Sequence, residues 1–131
     1  MPVILALDLG TAHTGIAISY EGILATPLTT IFERDLDTLV GRLTPVIAKH
    51  NPDTIVLGVP SHGILVEYGQ QLSEKLKDIY SGEIIFFSED LSSRKAHGIM
   101  KEMGKTLVKK KQEEHQTAAA VILQEYLDSI E

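Results

Sequence analysis

Residues 3–19, VILALDLGTAHTGIAIS, carry the pattern on which the fold turns. The stretch from Pro2 to Asp8 is an aliphatic run with no polar face, which reads as a strand covered on both sides. It ends in a carboxylate. Gly10 to His13 then supply a turn, and the apolar run resumes over residues 14–20 as an antiparallel partner. In open α/β sheets ligands gather beyond the carboxyl ends of the central strands, so an acid at that end is a candidate ligand group. Turn chemistry offers a second account, in which Asp8 accepts from the amides of Gly10 and Thr11. Thr11 and Thr14 add hydroxyls beside the acid, with turn structure again as the competing explanation, and His13 reads as an incidental residue of an exposed turn.

Outward from this hairpin, Glu21-Gly22 marks a second turn, and residues 23–30 make a third strand. Pro27 cannot donate to a ladder, so this strand belongs at a sheet edge. The period then lengthens. Leu36, Leu39, Val40, Leu43 and Ile47 fall at helical spacing, with a kink or break expected at Pro45. Residues 54–59 (TIVLGV) form another doubly covered strand. Tyr68, Leu72, Leu76 and Ile79 predict a second amphipathic helix, and residues 83–87 a last strand. Ser92 or Ser93 caps an expected third helix with Ala96, Ile99, Met100 and Met103 inward, and Gly104 ends it. Residues 113–130 predict a final helix with Ala118, Ile122, Tyr126 and Ile130 along one stripe. The order β-β-β-α-β-α-β-α-α predicts an α/β fold. Its five-stranded mixed sheet has three antiparallel strands, then two parallel crossover strands, with helices on both faces. The length of 131 residues suits a single domain spanning 1–131.

Composition narrows the chemistry. There is no cysteine, which excludes disulfides and thiolate–zinc sites. No apolar run approaches the roughly 20 residues that span a bilayer, and a basic leader is lacking. The expectation is a cytoplasmic protein with no membrane partner. The net charge of −6 argues against nucleic acid on its face, but the charge is segregated. Between residues 94 and 111 stand Arg94, Lys95, Lys101, Lys105, Lys109, Lys110 and Lys111 against Glu102 alone. Such a basic stretch on an acidic body is either a phosphate-contacting element or a solvated face.

A second acid, Glu89, follows the last strand, at the rim where Asp8 emerges. Two carboxylates held close repel unless a cation lies between them. Oxygen donors of this kind suit Mg²⁺ or Mn²⁺.

Five blocks, ALDLGTAHTGIAIS, GILATPLTTI, PDTIVLGVP, SEDLSSRKA and QTAAAVILQEYLD, resemble in order the YqgF family of ribonuclease H-like proteins, nucleases linked to pre-16S ribosomal RNA and to Holliday junction resolvases. The resemblance runs from about Val3 to Asp128. It implies a ribonuclease H-like fold and metal-dependent hydrolysis of phosphodiester bonds in structured RNA or branched DNA, with a homodimer as the candidate assembly. Acidic ligands in the family come from the first strand, a later strand end and the final helix. Asp8 matches the first in its Asp-x-Gly context. Glu89 matches the second, although the family's Asp-Glu-Arg-Leu-Thr-Ser has become Ser88-Glu89-Asp90-Leu91-Ser92-Ser93 here, which loses an arginine that could clamp phosphate. The third position, an Asp opening Asp-x-x-Ala-Ala, is His115 in this chain, with Glu113 and Glu114 just upstream. Some junction resolvases use histidine on this helix. An imidazole ligand would favour Mn²⁺ over Mg²⁺. The resemblance therefore implies a catalytic and metal-binding set of Asp8, Glu89 and His115, with Glu114 able to complete the shell. Its alternative is a degenerate member that binds nucleic acid without cutting it.

Overall fold

The computed structural model describes residues 2–88 and 111–130. The expected third helix, Glu89, and the basic residues from Arg94 to Lys110 lie outside the described residues. Five strands form one mixed sheet in the order β3-β2-β1-β4-β5. They are β1 (Ile4–Leu9), β2 (Thr14–Ser19), β3 (Thr26–Ile31), β4 (Thr54–Val59) and β5 (Glu83–Ser88). The first three strands pair antiparallel, and β1–β4 and β4–β5 pair parallel. The expected topology is therefore present. The strand carrying Pro27 is the outer one, beside β2, as a residue without an N–H leads one to expect. That strand begins later than expected, and Ile23 and Leu24 are exposed ahead of it.

The helices lie on both faces. The first, α1 (Leu36–His50), begins at Asp35, whose side chain accepts from the Thr38 amide at 2.9 Å. It ends at Asn51, held in the left-handed region at φ 47°. Pro45 does not break it; the helix is continuous to His50. Gly41, the residue four back whose carbonyl loses its partner, and Pro45 are both exposed, so that carbonyl can turn to water instead of being stranded in the core. The second helix, α2 (Ile64–Leu76), packs on the same face as α1. Leu5, Leu7 and Leu9 of β1 meet Leu39, Leu43, Leu72 and Leu76 there.

The final helix, α3 (Lys111–Ser129), covers the opposite face. Ile4, Ala6, Ala17 and Val56 from the sheet meet Ala119, Ile122, Leu123 and Leu127. The buried stripe is thus set about one position round from the expected one. Ile122 belongs to both, Tyr126 is half-buried, and Ile130 is exposed. Positions 119, 122, 123 and 127 give the i, i+3, i+4, i+8 spacing of a broad apolar face. The sequence alone could not choose between neighbouring stripes, because residues 118–123 (AAAVIL) are apolar all the way round more than one full turn.

Candidate active site

Period-two alternation assigns the acid to a face. Ile4 and Ala6 pack against α3, so Asp8, two residues on, is on the α3 side of the sheet. It is half-buried at the carboxyl end of β1, the central strand. Its neighbours in register are both glycines, Gly15 on β2 and Gly58 on β4. Each glycine makes room for α3, and at Gly15 the space is taken by backbone. A Cβ on Gly15 would stand 2.0 Å from the carbonyl oxygen of His115, and one on Gly58 would stand 2.8 Å from the Ile122 Cδ1. Helix α3 therefore presses onto the row of residues that contains Asp8. Over Gly58 it is a side chain that fills the space, whereas over Gly15 it is the helix backbone.

The β1–β2 turn is closed by the Gly10 amide, which donates to the His13 carbonyl at 2.8 Å. The Gly10 amide is thus used within the turn. Thr14 is fully buried and, by alternation with Ile16 and Ile18, is on the α1 and α2 side, away from Asp8; Thr11 is exposed.

His115 and Glu114 are half-buried near the start of α3, and Lys111 opens that helix. The His115 ring is stacked on the ring of His13, with centroids 3.4 Å apart and planes inclined by 24°. Phe32, just after β3, meets His115 edge-on at 6.2 Å. The expectation that His13 is incidental is thereby overturned: it is half-buried and in direct contact with a candidate site residue. Sequence inspection missed this pair because nearly the whole chain separates the two histidines. Only the helix-on-sheet packing brings them together. The one available signal was that the turn residue has a ring beside Gly10 and Gly15.

Among the described residues, no group of three or more histidine, aspartate, glutamate or cysteine side chains converges as a metal site. Asp8 alone supplies a hard carboxylate at the end of β1, which suits a divalent cation in kind. Completing a shell needs a further donor. Strand β5 ends at Ser88, paired beside Val59 of β4, and it runs parallel to β1 through β4. The chain thus leaves β5 at the same end of the sheet as Asp8, and Glu89, the next residue in sequence, lies outside the described residues. No described helix is long and apolar enough to cross a membrane.

With this geometry in place, the chain's relatives are informative. A family model described as RuvX, Holliday junction resolvase, matches residues 2–129. A protein of Staphylococcus aureus (strain JH9) named "Putative pre-16S rRNA nuclease" is 38% identical over 136 residues, covering 97% of this chain and 96% of its own length. One of the same name from Bacillus cytotoxicus is 36% identical over 134 residues, covering 96% of this chain and 98% of its own. Among solved structures, the Fowlpox virus resolvase in complex with Holliday junction DNA superposes with a TM-score of 0.66 at 10% identity, over 98% of both chains. RuvC of T. thermophilus in complex with Holliday junction substrate gives 0.63 at 14% identity, over 98% of this chain and 95% of that one. At these identities the structural likeness is one of fold, the ribonuclease H-like sheet with helices on both faces.

Proposed function

The chain belongs to the RuvX family of Holliday junction resolvases, and on that footing we propose that it is a metal-dependent nuclease of structured nucleic acid, with Asp8 at its centre. The carrying observation is that the carboxyl ends of β1 and β5 lie at the same end of the sheet, where the His115 backbone is seated over Gly15 beside Asp8. Two strand spacings, about 10 Å, separate β1 from β5. That gap is one that an acid on each side can close around bound cations.

Asp8 and Glu89 would hold Mg²⁺ or Mn²⁺, with His115 or Glu114 completing the shell. A bound divalent cation supplies activation of water and neutralisation of charge at the phosphate. The chain's own groups do the rest. Asp8 offers an oxygen donor fixed by a buried strand. Ile122 over Gly58 lines the inner side of this end of the sheet with an apolar wall. Arg94, Lys95, Lys101, Lys105, Lys109, Lys110 and Lys111 would contact phosphates without reading sequence. Ribosomal RNA precursor is the first substrate to offer, because the family relatives carry that name. A four-way DNA junction is the second. A homodimer would present two such sites to a branched substrate, and sedimentation of the active species measures this.

The test is cleavage of both substrates with Mn²⁺ or Mg²⁺ by the full chain and by Asp8→Asn. The expected result is cleavage by the first and background by the second, with both variants folded. Cleavage that survives in Asp8→Asn refutes the assignment. Ser88, Asp90 and His115, where the family pattern has Asp, Arg and Asp, favour a second reading, a member of the family that binds without cutting. Calorimetry separates the two: no heat from millimolar Mn²⁺, with retained affinity for the RNA, selects the second.

A further inference from the structure

His13 is held from three directions. The turn hydrogen bond from Gly10 fixes its carbonyl, and the Ala12 carbonyl next to it accepts from the Glu33 amide at 3.2 Å. Its ring folds back across Gly10, where a Cβ would stand 2.7 Å from the His13 Nε2. The outer face of that ring lies on His115 at 3.4 Å. The backbone of His115 is pinned separately, over Gly15. What remains adjustable in His115 is therefore the rotation of its side chain, and that is what the His13 ring and the Phe32 edge restrict. Stacking occupies the faces of an imidazole, whereas metal coordination uses nitrogens in the ring plane. One ring can do both at once.

From this geometry we infer that His13 is a positioning residue for His115. It sets the plane of the imidazole at the Asp8 end of the sheet, an assignment that rests on the nuclease reading above. The role fits the chemistry of this particular chain. A carboxylate at position 115 would have no ring to be stacked, whereas an imidazole ligand must be presented by its edge. An aromatic neighbour in the turn supplies that constraint. The strength of an aromatic pair corresponds to about a three- to tenfold change in an equilibrium constant.

The experiment uses the full chain and His13→Ala and His13→Phe, each checked for folding by circular dichroism. Two quantities are read: the ring resonances of His115 in metal-free, histidine-labelled protein, and the dissociation constant for Mn²⁺ by calorimetry. In His13→Ala the His115 resonances are expected to move toward those of an exposed histidine. The Mn²⁺ constant is expected to rise about three- to tenfold. His13→Phe, which keeps a stacking face, is expected to restore most of both. Unmoved resonances in His13→Ala would overturn the positioning role, as would moved resonances with unchanged Mn²⁺ affinity. If His13→Phe loses as much affinity as His13→Ala, the nitrogen of His13 matters and the residue is a ligand instead. A wild-type chain that binds no Mn²⁺ overturns the nuclease reading and the positioning role with it. That failure is told apart from a failure of the stack by the resonances read without metal.

Discussion

Replacing Gly15 with alanine tests the placement of α3 on the sheet, on which the whole site depends. The added Cβ would stand 2.0 Å from the His115 carbonyl oxygen and 2.5 Å from its carbonyl carbon, against an ordinary contact of 3.4–4 Å. The obstacle is helix backbone, so no side-chain rotation can relieve it. The first turns of α3 must retreat by more than an ångström, or β2 must bend away from them. Overpacking of this kind costs about 1–3 kcal/mol, and a backbone obstacle places this case at the upper end. At about 4 °C per kcal/mol for a chain of this size, the melting temperature should fall by about 10 °C. Displacing His115 from the site proposed at Asp8 by about 1 Å should also reduce cleavage by about a hundredfold at a temperature where the variant is folded. Thermal denaturation by circular dichroism reads the first effect and the nuclease assay the second. Gly41→Ala is the control: a Cβ there meets nothing within 4 Å, and helix propensity predicts a gain of about 1 kcal/mol. A Gly15→Ala protein that melts with the wild type and cuts at its rate would show that α3 does not cross β2 at this residue.

Two further outcomes concern pH. Tyr80 donates its hydroxyl to the Pro52 carbonyl at 3.0 Å, and burial, followed by the charges of Asp53 and Glu83, raises its pKa above the usual 10.0. Its folded-state pKa is the higher one, so its contribution is complete below pH 10 and is lost as the pH climbs through the raised value. Tyr80→Phe should cost about 1 kcal/mol at neutral pH and flatten the loss of stability above pH 10, read by urea denaturation. Tyr126, raised mainly by burial, keeps part of that alkaline slope in the variant. Asp35 has the opposite sign: the side-chain and backbone hydrogen bonds from Thr38 lower its pKa below 3.8. Its stabilisation is present above that value and disappears as the pH falls through the lowered one. Asp35→Ala should therefore lower the melting temperature at pH 7 and cost progressively less as the pH falls below 3.8.

Much of this protein is written locally. The aliphatic runs of residues 3–7 and 55–57 require two covered strands, and Pro27 requires an edge. The helical period over residues 36–47 requires an amphipathic helix. These follow from burial and backbone geometry, which act over a few residues, so a sequence can state them. Asp8 was visible for the same reason, an acid where a strand ends. The sequence could not state which stripe of the last helix would face the sheet, because its middle turns, residues 118–123, are apolar all round. That was decided by the two glycines, Gly15 and Gly58, that let α3 sink onto β2 and β4. Nor could it state that a histidine in a tight turn would stack on a histidine of the last helix. Contacts between distant segments depend on where whole elements are packed, and only the tertiary structure fixes that.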